Sequence, residues 1–393
     1  MHIAGEMMNN YQEKVEIISK LLQERAAVFP VRDSSYERLS SELQTFADGL
    51  LAEIDFENYK YDAGLIENAM RFSDSPVFIC GPMKSGTTLL GHLLDSHPDL
   101  QVMPGDSHFI NQLNYWDRQK FKEIASYWVH RIINPTGQEP FWFFGSNEDA
   151  FKIFLAYLNY FLRNSDKEIF VCVVMSFHIV HTLLSDPSPK KYWVEKTPHN
   201  ELHAQKLSQL FPKAKFIHIL RDPLNNIVSL KKLDAYLGET ASAFDYARVV
   251  KKLFKYARKN LEQLGNERYL VIRYEELTRD PSAVMNRICV FLDIPYTESL
   301  LTPTENGKPA VSNSMFQKDR VKGKILNREQ NDRSLREYTK EELQDVVTTL
   351  YSEAIKAGYP WDVKEISQYK KTGFSYFFHL AAEILKNISP KFF

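Results

Sequence analysis

The sequence has almost no net charge. It contains 49 Lys and Arg residues against 50 Asp and Glu residues, which gives a formal charge of −1. A chain with this balance has no global basic field to recruit nucleic acid, so we expect no nucleic-acid partner. Any site that binds an anion must therefore be a local one.

Cysteine is also scarce, with only Cys80, Cys172 and Cys289 in 393 residues, each in an apolar run. This spacing favours buried thiols over a disulfide framework or a metal cluster. The first residues hold acids and amides where a signal peptide would need a basic patch and an apolar core, so we expect no secretion signal. The sequence thus predicts a cytoplasmic protein.

Long apolar runs are missing as well. The most apolar stretch, residues 169–184, is about two residues short of the usual ~18 for a membrane span, and we expect a buried helix or strand there. Residues 374–385 place a polar stripe on an otherwise apolar helix. Such a helix most often docks on its own chain or on a partner copy in a homo-oligomer. Membrane attachment through this helix is the less favoured alternative.

One segment, residues 77–91, has the pattern of strand, tight loop and helix. Backbone N–H groups and the dipole at a helix N-terminus favour an anion. Gly81 and Gly86 keep the spacing of the nucleotide loop G-x-x-x-x-G-K-[ST]. However, Thr87 replaces its lysine, and Lys84 lies inside the loop. The segment therefore predicts a phosphate loop for a nucleotide other than that of an ordinary ATPase or kinase.

A second segment, residues 215–232, places an arginine at the carboxyl end of a strand. Asp222 is a helix N-cap and Pro223 suits the first helical turn. Arg221 therefore lies where open α/β sheets bind ligands, and Ser229 lies about two turns into the helix. An arginine before a capping aspartate can also be a simple ion pair.

Two more segments bring polar residues to strand ends. The run W-V-E-K-T-P ends a strand at Lys196, and G-D-S-H-F follows another strand. Within the latter, Asp106 and His108 are both candidate proton acceptors. Histidine accepts a proton near neutrality without adjustment, whereas an aspartate needs a desolvated setting or close geometry. An exposed lysine at a strand end remains the alternative for Lys196.

Together these segments resemble the sulfotransferases that use 3′-phosphoadenosine 5′-phosphosulfate (PAPS), over roughly residues 76–292. The run P-x-K-S-G-T-T resembles their 5′-phosphosulfate loop, and E-K-[ST]-P resembles the carbohydrate and tyrosyl branch. The resemblance implies in-line transfer of a sulfuryl group from PAPS to a hydroxyl, with 3′-phosphoadenosine 5′-phosphate (PAP) as product. The implied acceptor is a small molecule, a lipid or polyketide, or a glycan, and no metal is needed.

The resemblance also implies residue roles. Lys84 and Lys196 would supply positive charge at the sulfuryl group. Asp106 stands where carbohydrate sulfotransferases have a glutamate and would be the general base, with His108 as orienter or substitute. The implied donor-binding residues are Lys84, Ser85, Gly86, Thr87, Thr88, Arg221, Ser229, Tyr274, Arg320 and Lys322.

Two other functions remain open. A P-loop kinase or NTPase would bind ATP with Mg²⁺, although the displaced lysine counts against it. A non-catalytic module would bind PAP tightly and turn over no acceptor. The first is a different enzyme class and the second is an interaction protein. Measurements of which nucleotide binds, and of whether an acceptor is turned over, discriminate between these functions.

The rhythm of short apolar strands and amphipathic helices predicts an α/β fold with three layers and a central parallel sheet. We expect most aromatic residues between positions 109 and 184 to be core, with a minority that could line an apolar acceptor pocket. The expected domains are a helical N-terminal extension (1–72), a sulfotransferase domain (73–365) with a helical acceptor-side insertion (109–184), and an amphipathic C-terminal helix (366–393).

Overall fold

The structure is a computed structural model that describes residues 2–26, 34–112, 116–133, 141, 143–311, 321–325 and 335–371. Two positions singled out in the sequence, Arg320 and the segment 374–385, lie outside the described residues.

Five parallel strands form the central sheet, in the order β2-β3-β1-β4-β5. Because every pair is parallel, all carboxyl ends meet at one edge. The central strand β1 has β3 on one side and β4 on the other, an arrangement that opens a ligand crevice at this edge. The strands are β1 (Pro76–Cys80), β2 (Leu100–Asp106), β3 (Tyr192–Lys196), β4 (Lys215–Leu220) and β5 (Tyr269–Arg273).

Helices cover both faces of this sheet and confirm the three-layer prediction. Their bounds are α1 (His2–Ala26), α2 (Ser34–Ala52), α3 (Ala63–Ser73), α4 (Thr87–Leu94), α5 (Phe109–Gln112), α6 (Phe121–Ile133), α7 (Glu148–Asn164), α8 (Ile169–Leu184), α9 (Ala204–Leu210), α10 (Pro223–Leu237), α11 (Ala243–Leu264), α12 (Tyr274–Arg279), α13 (Pro281–Leu292), α14 (Lys340–Lys356) and α15 (Lys364–Ser367). A short hairpin, β6 (Thr304–Glu305) and β7 (Lys308–Pro309), follows α13.

The side chains of β1 alternate between the two layers, as the pleat of a strand requires. Val77 and Ile79 join the core formed with α4 and α13. Phe78 and Cys80 join the larger core formed with the N-terminal helices and with α6, α7 and α8. All four are fully buried, so β1 is fixed from both faces and the loop after it starts from a rigid point.

The strand β2 continues to Asp106 past a break in its pairing. Pro104 and Gly105 interrupt its pairing with β3, and the register shifts between Val102 and Asp106. Gly105 has a φ of +62°, which glycine adopts without the penalty of a Cβ. This bulge brings Asp106 back into register opposite Lys196.

The described residues between positions 109 and 184, which we call the insertion, are mostly helical and contribute many rings to the core. Phe151, Phe154 and Phe161 are at most 1% exposed, and their rings belong to the larger core. The apolar stretch 169–184 is the helix α8 rather than a strand. None of the described helices is both long enough and apolar enough to cross a membrane.

Candidate active site

The loop between β1 and α4 is tightly packed. Gly86 precedes α4 with a φ of +107°, and a Cβ there would lie 2.4 Å from Tyr274 Cδ2. Gly81 has a φ of +149°, and its Cβ would lie 2.5 Å from the carbonyl oxygen of Ile219. Both positions therefore require glycine, because any side chain would force the loop away from β4 and α12.

Lys84 lies inside this loop with a φ of +65°. Burial and the nearby positive charge of Arg221 lower the pKa of its ammonium group. The backbone of the loop is held by the next segment along the sheet: Asn226 Nδ2 donates to Met83 O at 2.8 Å and Arg221 Nη1 donates to Lys84 O at 2.9 Å. The two segments predicted to bind opposite ends of one nucleotide are thus in direct contact.

Arg221, Ser229 and Tyr274 are brought together. Arg221 Nη1 also donates to Ser229 Oγ at 3.1 Å, and its guanidinium lies 4.9 Å from the centroid of the Tyr274 ring. Asp222 caps α10 as expected, with Oδ1 accepting from Leu224 N and Asn225 N. The arginine therefore lies at the start of a helix whose first turn is fixed.

Lys196 lies at the carboxyl end of β3 between two candidate partners. Its Nζ contacts the carboxylate of Asp106 and donates to Thr88 Oγ1, in the first turn of α4, at 3.2 Å. The lysine side chain is only 11% exposed, and that of Asp106 is 37% exposed. A cation and a carboxylate are thus paired next to the phosphate loop.

Glu195 is a site residue that sequence reasoning missed. Its carboxylate is buried and accepts hydrogen bonds from Ser107 Oγ and Thr197 Oγ1, both at 2.5 Å, and from Asn200 Nδ2 at 2.6 Å. Burial raises the pKa of this carboxyl group. Glu195 thereby connects the end of β3 to the loop after β2. The hydroxyl residues in the two motifs, Thr197 in E-K-T-P and Ser107 in D-S-H, could have indicated a buried carboxylate that accepts hydrogen bonds from them.

His108 is held by its backbone rather than by its ring. Its N–H donates to Thr197 Oγ1 at 3.0 Å, its φ is +52°, and its side chain is exposed. Arg131 of α6 donates to the carbonyl oxygen of Asp106, which anchors the insertion beside the candidate base.

The segment that carries Arg320 and Lys322, two of the implied donor-binding residues, is only partly described. Lys322 is exposed and forms an isolated antiparallel bridge with Val311, and Gly323 N donates to Ala310 O at 2.9 Å. Among the described residues, no group of three or more His, Cys, Asp or Glu side chains could hold a metal ion.

The chain matches the model of a known protein family. A family model described as "Sulfotransferase family" matches residues 76–298. That match covers more than half of the chain, and the chain belongs to the sulfotransferase family.

Individual relatives are more distant. The protein-tyrosine sulfotransferase of Drosophila melanogaster is 24% identical over 247 residues, which cover 59% of this chain and 42% of that protein. Protein-tyrosine sulfotransferase A of Caenorhabditis elegans is 26% identical over 235 residues, which cover 57% and 51%. The chain thus spans about half the length of these curated relatives. Among solved structures, the sulfotransferase domain from the curacin biosynthetic pathway has 18% identity and a TM-score of 0.45, covering 72% of this chain and 97% of that chain.

Proposed function

We propose that the protein transfers the sulfuryl group of PAPS to a hydroxyl of an acceptor and releases PAP. The observation that carries the proposal is the position of Lys196. Its Nζ contacts the carboxylate of Asp106 and lies 3.2 Å from Thr88 Oγ1. A cation is thereby held between a candidate proton acceptor and the anion-binding end of a helix.

The residues around the loop suit a donor with phosphates at both ends. Ser85 Oγ is fully buried and has no hydrogen-bond partner among the described residues. Buried polar groups are nearly always paired, and a 5′-phosphate oxygen would supply the missing partner. Thr87 and Thr88 follow Ser85, in the first turn of α4. Arg221 and Ser229 would hold the 3′-phosphate, beside Tyr274.

In the proposed reaction the acceptor oxygen attacks sulfur in line with the bond to the 5′-phosphate. That S–O bond breaks, its electron pair leaves on PAP, and the acceptor proton passes to the carboxylate of Asp106. Lys84 and Lys196 offset the charge that develops on the bridging and peripheral oxygens. We favour Asp106 over His108 as base because its carboxylate contacts Lys196, whereas the His108 ring is exposed.

Two classes of acceptor hydroxyl are candidates. The relatives named protein-tyrosine sulfotransferase make a tyrosine hydroxyl the first candidate to test. The aromatic insertion, which reaches Asp106 through Arg131, would suit a less polar alcohol as the second.

Transfer of labelled sulfate from PAPS tests the proposal. The acceptors would be a tyrosine-containing peptide, a simple phenol, a long-chain alcohol and a sugar. We expect turnover by the wild type and a loss of about 10²–10³-fold in kcat for Lys196→Ala, the usual cost of one group that stabilises the transition state. Lys84→Ala should be similarly impaired.

The control is Lys213→Ala, which removes an exposed lysine before the amino end of β4, at the opposite edge of the sheet. Equal activity in Lys196→Ala and Lys213→Ala would contradict the assigned role. PAP binding without turnover of any acceptor would favour a non-catalytic module, and Mg²⁺-dependent ATP hydrolysis would favour the kinase or NTPase alternative.

A further inference from the structure

A C-terminal segment outside the residues matched by the family model contacts the turn that carries Arg221. We call Gly358, Tyr359 and Trp361 the C-terminal clasp. Trp361 is fully buried, and its indole Nε1–H donates to Asp222 Oδ2 at 2.9 Å. The same carboxylate uses its other oxygen to cap α10, so both oxygens of Asp222 have a partner.

The clasp reaches the same turn by a second route. Tyr359 Oη donates to Glu275 Oε2 at 3.3 Å, and Glu275 Oε1 accepts from Asp222 N at 2.9 Å. Arg273 donates to the carbonyl oxygen of Gly358. Gly358 has a φ of +80°, a backbone conformation that glycine adopts without the penalty of a Cβ.

We propose that Trp361 is a positioning residue for the 3′-phosphate site. It fixes the carboxylate of Asp222, and thereby the backbone from which Arg221 extends and the first turn of the helix that carries Ser229. The proposal rests on the proposed function, because it takes Arg221 and Ser229 as the ligands of the 3′-phosphate.

Three steps connect the indole to the phosphate. Without the Trp361 N–H, Asp222 Oδ2 loses a partner in a partly buried setting, which is costly for a carboxylate. The carboxylate then relaxes by rotation or by proton uptake, and burial already raises the pKa of Asp222. Because Arg221 adjoins Asp222 and bonds Ser229 two turns later, the donors to the 3′-phosphate lose their fixed spacing.

The effect should be selective for one end of the donor. The contacts of the 5′-phosphate loop with β4 and Tyr274 do not pass through Trp361. Arg221 and Asn226 also donate to the backbone of that loop, so the binding of a ligand that lacks the 3′-phosphate should weaken less than that of PAP, whereas general loss of structure would weaken all nucleotides alike.

The test compares PAP with adenosine 5′-phosphate, which differs from it only by the missing 3′-phosphate, by calorimetric titration of the full chain. For Trp361→Phe we expect PAP binding to weaken about tenfold, in line with the loss of a hydrogen bond to a charged group, and adenosine 5′-phosphate binding to weaken by a clearly smaller factor. In turnover, KM for PAPS should rise with kcat unchanged. In an Arg221→Ala background, Trp361→Phe should cause no further loss of PAP affinity.

The matched control is Trp193→Phe. This change also removes a fully buried indole, whose Nε1–H donates to Ser73 O at 3.0 Å. It should lower the melting temperature and leave the ratio of the two affinities unchanged. Tyr359→Phe provides a milder second variant that keeps the buried ring, and we expect PAP binding to weaken about threefold through the loss of the bond to Glu275.

Equal weakening of both nucleotides, or unchanged PAP binding in Trp361→Phe and Tyr359→Phe, would overturn the positioning role alone. A wild type that binds no PAP would overturn the donor assignment, and the role of Trp361 with it. The two failures are thus distinguishable.

Discussion

Two regions of the molecule bury different kinds of side chain. One is the donor edge, meaning the carboxyl ends of β1, β3 and β4 with their loops, and the other is the helical insertion. At the donor edge the fully buried groups include Ser85, Glu195 and Glu201, polar side chains that stabilise a fold only when paired. In the described part of the insertion most fully buried groups are apolar, among them the rings of Phe151 and Phe154, and these gain free energy by leaving water. The first region thus buries polar groups beside the candidate reacting residues, and the second buries mainly apolar groups that pack.

Because of this difference, substitutions in the two regions should affect stability and activity separately. Glu201 Oε2 accepts from Gly81 N at 2.9 Å, and Glu195 carries three hydrogen bonds from side chains, so the donor edge holds its geometry by polar contacts. Such contacts contribute little net free energy of folding, since each replaces a bond to water. Substitutions at the reacting groups should therefore alter rate more than stability, and substitutions in the insertion should do the reverse.

The largest expected effect is on the rate. Asp106→Asn keeps the shape of the side chain but removes the proton acceptor, so we expect kcat to fall about 10²–10⁴-fold, the usual contribution of general base catalysis. The free energy of unfolding should change little, because the Asp106 side chain is 37% exposed. Initial rates of sulfate transfer and urea unfolding measure the two quantities.

His108→Gln is the comparison for that variant. It removes the alternative proton acceptor, whose ring is exposed, and should lower kcat only a few-fold because its backbone contact with Thr197 remains. If His108→Gln lost more activity than Asp106→Asn, the assignment of the base would have to be reversed.

The next effect is on stability. Phe154→Ala opens a cavity in a ring cluster where Phe177 lies 5.1 Å away between centroids, and should lower the free energy of unfolding by about 3–5 kcal/mol. The KM for PAPS of the folded fraction should not change. Leu183→Ala, at an exposed position of α8, should cost less than about 0.5 kcal/mol. A rise in KM without loss of stability for Phe154→Ala would place this ring in a binding role instead.

Local sequence patterns accounted for much of the donor edge. The strand before Gly81, the N-cap at Asp222 and the lysine at the end of β3 are all encoded within a few residues, and parallel pairing then brings their carboxyl ends together. In the structure Arg221 donates a hydrogen bond to Ser229. The catalytic and donor-binding roles of these residues stay predictions.

Other features could not be predicted because they depend on contacts between distant positions. Trp361 bonds a residue 139 positions away, and Ser107 bonds one 88 positions away. The bulge that pairs Asp106 with Lys196 depends on how Pro104 and Gly105 are accommodated beside β3. Composition alone also cannot tell a ring in the core of the insertion from one that lines a pocket, since both are apolar at helical spacing.

The last effect concerns pH. His178 of α8 is buried, with Nδ1 and Gln101 Oε1 2.9 Å apart and its ring stacked 3.9 Å from Phe72. Burial lowers the pKa of His178 from 6.5 to about 4. Between these values the unfolded chain binds the proton and the native chain does not, so stability falls as the pH falls. At 1.36 kcal/mol per pKa unit, the loss approaches about 3 kcal/mol near pH 4.

His178→Gln removes this titration and keeps an amide that can bond Gln101. Urea unfolding at pH 7, 5.5 and 4.5 should show a shallower decline in the free energy of unfolding for the variant than for the wild type. Part of the slope should remain, because burial also lowers the pKa of His181, one turn further along α8. An unchanged slope would mean that the acid sensitivity arises at groups other than His178.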